Sequence, residues 1–322
     1  MKNNKLLESN NLTKEFIKGR GFSKTKLIAV NNANFTLEQG KSEIFTLVGE
    51  SGSGKSTVAK LILGFEEPTS GEINYKNNNL SKMKNNNTMK FMKEVQPIFQ
   101  DPFETFSPLK KVETYLYETE KNFNINKSKN DHTAIKESLQ LVGLSLDEIE
   151  GKYPNEMSGG QLQRVSIARA LITDPELIVA DEPVSMIDAS LRMSVLNLFK
   201  KLKKEKKVNI IYITHDLATA YYVSDKIVVM LRGEFVERGD VEKVFENPLH
   251  PYTQLLFESV PDPDPDKEWD TDIEFSDMET EEFSRQGCKF AGRCPHVKEK
   301  CKNISPSVIE AQGRKVKCFL YE

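Results

Sequence analysis

An α/β fold organised on a parallel sheet is what this sequence predicts, and three stretches carry the prediction. The first is Gly49-Glu50-Ser51-Gly52-Ser53-Gly54-Lys55-Ser56-Thr57, which fits G-x-x-x-x-G-K-[ST], a loop that cradles phosphates between a strand and a helix. The other two are apolar runs, Leu177-Ile178-Val179-Ala180 and Val208-Asn209-Ile210-Ile211-Tyr212-Ile213, ending at Asp181-Glu182 and at Thr214-His215. Parallel strands buried on both faces read as such continuous runs, and ligands gather at their carboxyl ends. This pattern predicts a chain that binds a nucleoside triphosphate.

Length and composition set the bounds. The 322 residues suit one large domain with an appendage or two ordinary domains. With 38% hydrophobic and 29% charged residues the chain has a real core and a soluble surface. A net charge of −3 gives no general drive toward nucleic acid or acidic lipid. No apolar run approaches the ~20 residues that span a bilayer, and Met1-Lys2-Asn3-Asn4-Lys5 lacks the apolar core of a signal peptide. The expectation is a cytoplasmic protein whose membrane role runs through a partner.

In chain order, residues 1–48 read as β-rich, with partial two-residue alternation in Asn11–Phe16 and Ala33–Leu37. Phe16 on the first run is either core or a ring that stacks on adenine. Ile44–Val48 reads as a buried strand, and Val58–Leu63 as the helix after the phosphate loop. The loop's three glycines allow the φ > 0 turns that an anion nest requires. Its N–H groups and the helix dipole then face the phosphates. Lys55 reaches the β and γ oxygens, and the Ser56 hydroxyl ligates Mg²⁺. The Asn/Lys tracts at 75–79 and 84–87 read as exposed turns; no aromatics interleave them as in an RNA patch.

Further on, Gln96–Phe99 is a strand running into a Pro-broken loop, with Gln100 at its end, in reach of Mg²⁺ or the attacking water. Residues 110–150 carry helical patterns ending near Gly143. Ser158-Gly159-Gly160-Gln161 opens a helix running through Arg164–Leu171, read either as a plain cap or as a second anion-facing N-terminus. Asp181 is suited to Mg²⁺, and Glu182 to polarising a water against the γ-phosphate. Ile187–Lys206 is an amphipathic helix whose lysines form a solvated face. His215 at the next strand end is either merely exposed or placed to contact the γ-phosphate. A strand-turn-strand follows around Arg232-Gly233. Pro261-Asp262-Pro263-Asp264-Pro265-Asp266 begins an acidic linker, so the expected division is 1–260, a linker at 261–286, and a Cys-rich module at 287–322.

Taken together these stretches resemble the nucleotide-binding subunits of ABC transporters: Walker A at Gly49–Thr57, the Q-loop at Gln100, the signature at Ser158–Gln161, Walker B ending at Asp181-Glu182, the D-loop at Ser185–Asp188 and the switch His215. Asn247–Leu256 and Gly287–Pro295 are similar to the C-terminal part of the oligopeptide/dipeptide/nickel importers. The Gly19–Lys26 insertion points to the second of their two ATPase subunits. The resemblance implies a P-loop NTPase (RecA-like) parallel sheet core, an N-terminal antiparallel β subdomain, a helical subdomain and a small Cys-rich extension. It also implies ATP and Mg²⁺ (held by Ser56, Gln100 and Asp181) as cofactors, with Phe16 stacking on the adenine.

Catalysis falls to Lys55, Gln100, Glu182 and His215. Two cassettes, identical or different, pair head to tail, so that Ser158, Gly159, Gly160 and Gln161 meet the partner's ATP beside the D-loop Asp188. The implied assembly is peripheral, on the cytoplasmic face of the membrane, with two permease subunits and an extracytoplasmic solute-binding protein, and no nucleic acid. Cargo is expected to be oligopeptides or dipeptides, with an oligosaccharide or nickel as alternatives; a soluble ATPase acting on ribosomes or DNA is the contrasting reading. Cys288, Cys294, Cys301 and Cys318 lack the close C-x₂₋₄-C pairs usual for zinc. The resemblance points instead to a [4Fe–4S] cluster, with Zn²⁺ or free thiols as alternatives.

Overall fold

Alternation in the first residues resolves into two long strands, β1 (Lys5–Lys18) and β2 (Thr25–Glu38). The structure, a computed structural model, describes residues 5–18, 25–83, 86–125, 132–259 and 278–322. Most of the Gly19–Lys26 insertion lies outside them. The strand ahead of the phosphate loop is β3 (Ile44–Val48), with all five residues buried. It feeds helix Lys55–Ile62 through Gly54 in a left-handed conformation. Then come β4 (Ser70–Tyr75) and β5 (Asn78–Asn79), an antiparallel pair joined by Lys76 and Asn77 at positive φ. That is the expected Asn/Lys turn. The second tract departs from expectation, because Asn86-Asn87 opens helix Asn86–Glu94.

β6 (Val95–Ile98), β7 (Leu177–Asp181) and β8 (Asn209–Ile213) are parallel, in the register Val95↔Leu177↔Asn209. β7 and β8 are buried almost throughout, as continuous apolar runs demand. β9 (Lys226–Leu231) and β10 (Glu234–Asp240) form an antiparallel hairpin, and β11 (Ile309–Ala311) and β12 (Arg314–Val316) another. The strands make two sheets, ordered β2-β1-β4-β5 and β11-β12-β10-β9-β3-β8-β7-β6.

The chain divides into two compact units: 1–8, 36–45 and 74–213 in one, and 9–35, 46–73 and 214–322 in the other. The first holds the helical subdomain, with helices Val112–Asn122, Thr133–Leu141 and Leu146–Ile149, where Ile135 and Leu139 are fully buried. Helix Ala189–Lys201 tightens the expected Ile187–Lys206 span and continues as a wider turn to Lys206.

In the second unit the C-terminal part packs on the sheet. β12 pairs with β10 (Glu237↔Val316), and Phe290 sits in one apolar cluster with Val48, Val229 and Tyr252. Burying a side chain of that size stabilises by about 2–3 kcal/mol, which holds the segment on the sheet. Of the stretch read as linker, 261–277 lies outside the described residues, whereas Met278–Ser284 is helical and Glu282 is only 1% exposed. In that helix the buried Glu282 carboxylate finds cationic partners.

Candidate active site

The phosphate loop takes its shape from glycines that no other residue replaces. Gly49 and Gly54 lie at φ +151° and +106°. A Cβ on Gly49 would stand 2.1 Å from the Met230 carbonyl oxygen, and one on Gly54 the same distance from that of Ala29. Backbone on either side therefore walls the loop in. Lys55, buried, donates through Nζ to the carbonyls of Gly49 and Glu50 (2.8 Å each) and to Ser53 Oγ (3.3 Å). The Gly233 N–H donates to the Ser53 carbonyl (2.8 Å), tying the loop to the β9–β10 turn. Ser51, Gly52 and Ser56 are exposed, with Thr57 half-buried behind them. The loop thus offers open backbone and a hydroxyl beside a buried ammonium group, the geometry of an anion cradle.

Phe16, on β1 of the same unit, is half-buried, with the Lys14 ammonium 5.1 Å above its ring. One face of the ring is therefore not core. His215, also in this unit, is exposed just beyond β8 and before helix Leu217–Val223, which Asp216 caps by accepting from Ala218 and Thr219 N–H.

The other unit gathers the carboxylates. Asp181 ends β7, and Glu182 follows at φ +47°, a conformation that costs a non-glycine residue about 1–3 kcal/mol. Its backbone is pinned there: its N–H donates to the Ile213 carbonyl (2.9 Å) and its carbonyl accepts from Ser185 Oγ (2.9 Å). The Gln100 amide donates to Glu182 Oε2 at 2.9 Å. Gln163, fully buried, donates to the carbonyls of both Phe99 and Pro183, so one side chain sets the chain on either side of that pair. Sequence reading missed Gln163; its place two residues after Gln161 was the available signal.

Ser158 caps helix Gly159–Leu171 in a capping box: its Oγ accepts from the Gln161 N–H, and its own N–H donates to Gln161 Oε1. An added Cβ on Gly159 would come within 3.7 Å of Phe103, whereas one on Gly160 would meet nothing within 4 Å. Asp188 stands at the N-cap of helix Ala189–Lys201.

The family profile described as ABC transporter matches residues 30–185, and that described as oligopeptide/dipeptide transporter, C-terminal region, matches 236–301. YkfD of Bacillus subtilis is 38% identical over 98% of this chain and 95% of its own length. The chain belongs to the ABC transporter family. The oligopeptide transport ATP-binding protein OppF of Streptococcus pyogenes is 42% identical over 81% of this chain and 83% of its own. OppF of Salmonella typhimurium is 38% identical, over 89% and 86% respectively. Among solved structures, a dimeric post-hydrolysis state of the ATP-binding cassette MJ0796 bound to ADP and Pi matches with a TM-score of 0.63 at 26% identity, covering 73% of this chain and 98% of that one. As an ABC cassette the chain is an ATPase.

The metal expected at the four cysteines is not supported by the described residues. All four are free thiols lining one cavity with His250 and Phe290. Among the described residues no three His, Cys, Asp or Glu side chains are grouped as ligands to an ion. Burial pushes the Cys288 thiol up to about 11 and raises Cys294 and Cys318. The [4Fe–4S] and Zn²⁺ expectations thus find no support in this arrangement.

Proposed function

We propose that this chain is the ATP-hydrolysing subunit that powers an importer of oligopeptides or dipeptides. The observation that carries the reading is likeness to relatives named for oligopeptide transport, extending through the C-terminal region as well as the cassette. The ATP-binding residues are Phe16 against the adenine and Gly49–Thr57 around the phosphates, Lys55 neutralising the β and γ oxygens. Ser56, Gln100 and Asp181 would hold Mg²⁺, which supplies charge neutralisation when bound. Glu182 accepts a proton from a water whose oxygen attacks the γ-phosphorus. The bond to the β–γ bridging oxygen breaks, and ADP leaves. Gln100 and His215 orient that water.

The signature belongs to a partner's ATP. Gly160 has open space where a side chain would go, so packing within this chain does not call for glycine there. A second molecule approaching closely does. Ser158 Oγ and the first N–H groups of its helix then complete the charge stabilisation around a γ-phosphate held by the second cassette. The second cassette, two permease subunits and a solute-binding protein complete the assembly at the membrane. No described helix of this chain is long and apolar enough to cross a bilayer.

The test is capture of the assembly with Glu182→Gln, which should bind ATP and hydrolyse it at least about a hundredfold more slowly. Tagged variant is solubilised gently with ATP and Mg²⁺, and its partners are identified by mass spectrometry. Two multi-span permeases and a second cassette support the reading. Ribosomal or DNA-repair partners without a membrane subunit overturn it.

A further inference from the structure

Glu50 occupies a position that the phosphate-loop motif leaves open, and it is a carboxylate beside a site for a polyanion. In this fold its charge is taken up by residues far along the chain. Arg293 Nη1 donates to Glu50 Oε1 at 2.8 Å, and Arg232 Nη2 stands 3.3 Å from Oε2. The same two guanidinium groups hold Glu282: Arg293 Nε at 2.7 Å and Arg232 Nε at 2.8 Å. Two arginines and two glutamates alternate in one quartet.

It is built, not incidental. The side chains of Glu282, Arg232 and Arg293 are 1%, 8% and 15% exposed, and aromatic rings flank the guanidinium groups, Phe290 and Tyr252 for Arg293 and Phe283 for Arg232. The backbone of Glu50 is held as well. Its N–H donates to the Tyr252 hydroxyl (3.0 Å), while its carbonyl accepts from Lys55 Nζ and the Ser53 N–H. The residue that shares a carbonyl with the phosphate-binding lysine is thus clamped from the C-terminal region.

We infer that this region is a working part of the ATP site, in which Arg293 and Arg232 are positioning residues that neutralise Glu50 and fix the phosphate loop for the triphosphate. The inference rests on the ATP-binding reading. Without Arg293 the site loses one positive charge next to the loop, which disfavours ATP; removing the Glu50 charge as well restores the original balance.

That rescue distinguishes positioning from mere structural support. Binding of the fluorescent analogue MANT-ATP with Mg²⁺ is measured on the full chain as wild type, Arg293→Gln, Glu50→Gln and the double variant. Arg293→Gln is expected to weaken binding about tenfold, less so at high salt, and the double variant to recover most of the loss. Wild-type binding with Arg293→Gln unchanged within about twofold, or a loss undiminished in the double variant, overturns the inference while sparing the ATP reading. Failure of the wild type to bind overturns the ATP reading itself. If Arg293→Gln does not fold, Arg232→Gln, alone and combined with Glu50→Gln, supplies the same comparison.

Discussion

Gly160→Ala separates the demands of this chain's own fold from those of a partner. Gly160 is the second residue of helix Gly159–Leu171, and a methyl group there meets nothing within 4 Å. Alanine in a helix is favoured over glycine by up to about 1 kcal/mol, and the gain from a restricted unfolded chain is about 0.4–1 kcal/mol. At a helix start the lower end applies, so the variant should be more stable by about 0.5 kcal/mol, raising Tm by about 1–2 °C for a protein of this size. If the helix N-terminus meets a partner's γ-phosphate, the same methyl group stands in the phosphate's way. Losing one hydrogen bond to a charged group costs about 1.5–3 kcal/mol, which slows hydrolysis about 10- to 150-fold. The assay pairs a thermal melt of the free chain with the ATPase rate of the assembled transporter. A variant that is stabilised and fully active would refute the reasoning about the signature. One that is destabilised would refute the reading of open space.

Two other outcomes follow from the geometry. Gly54→Ala places a Cβ 2.1 Å from the Ala29 carbonyl at φ +106°, so it should cost at least about 2 kcal/mol and abolish MANT-ATP binding; wild-type affinity would contradict the wall around the loop. His250 is 1% exposed, its Nδ1 accepting from the Tyr252 N–H, and burial, with Lys317 nearby, pushes its pKa down to about 3 from an ordinary 6.5. The unfolded chain therefore takes up the proton first, and stability from the neutral imidazole is lost as pH falls from 6.5 toward 3. At pH 5 that loss is about 2 kcal/mol relative to neutral pH. His250→Asn keeps an acceptor for the Tyr252 N–H, and urea unfolding at pH 7 and pH 5 should show the difference shrink by about that amount. An unchanged pH dependence would place the titration elsewhere.

What the sequence made legible was local. The nine residues of the phosphate loop, the strand before it and the helix after it stand where the motif puts them, because a contiguous pattern determines a contiguous backbone. β7 and β8 were legible for the same reason: a four-residue apolar run, Leu177–Ala180 or Ile210–Ile213, is most stable in an α/β protein when buried on both faces. The capping box of Ser158 and Gln161 is likewise written in a three-residue spacing.

The C-terminal half was less legible. Acidic, proline-rich composition suggested linker up to residue 286, yet helix Met278–Ser284 buries Glu282 between Arg232 and Arg293. Four clustered cysteines suggested a metal, yet among the described residues no three His, Cys, Asp or Glu side chains are grouped as ligands. Glu50 and Arg293 meet across 243 residues of chain. No periodicity or motif records such a meeting. It exists only because β10 pairs with β12 and Phe290 packs against Tyr252 and Val48, carrying a distant guanidinium group to the edge of the phosphate loop. Local chemistry could be read from the order of residues; the partners of each charge were decided by the tertiary structure, since side chains pair by distance in space and not along the chain.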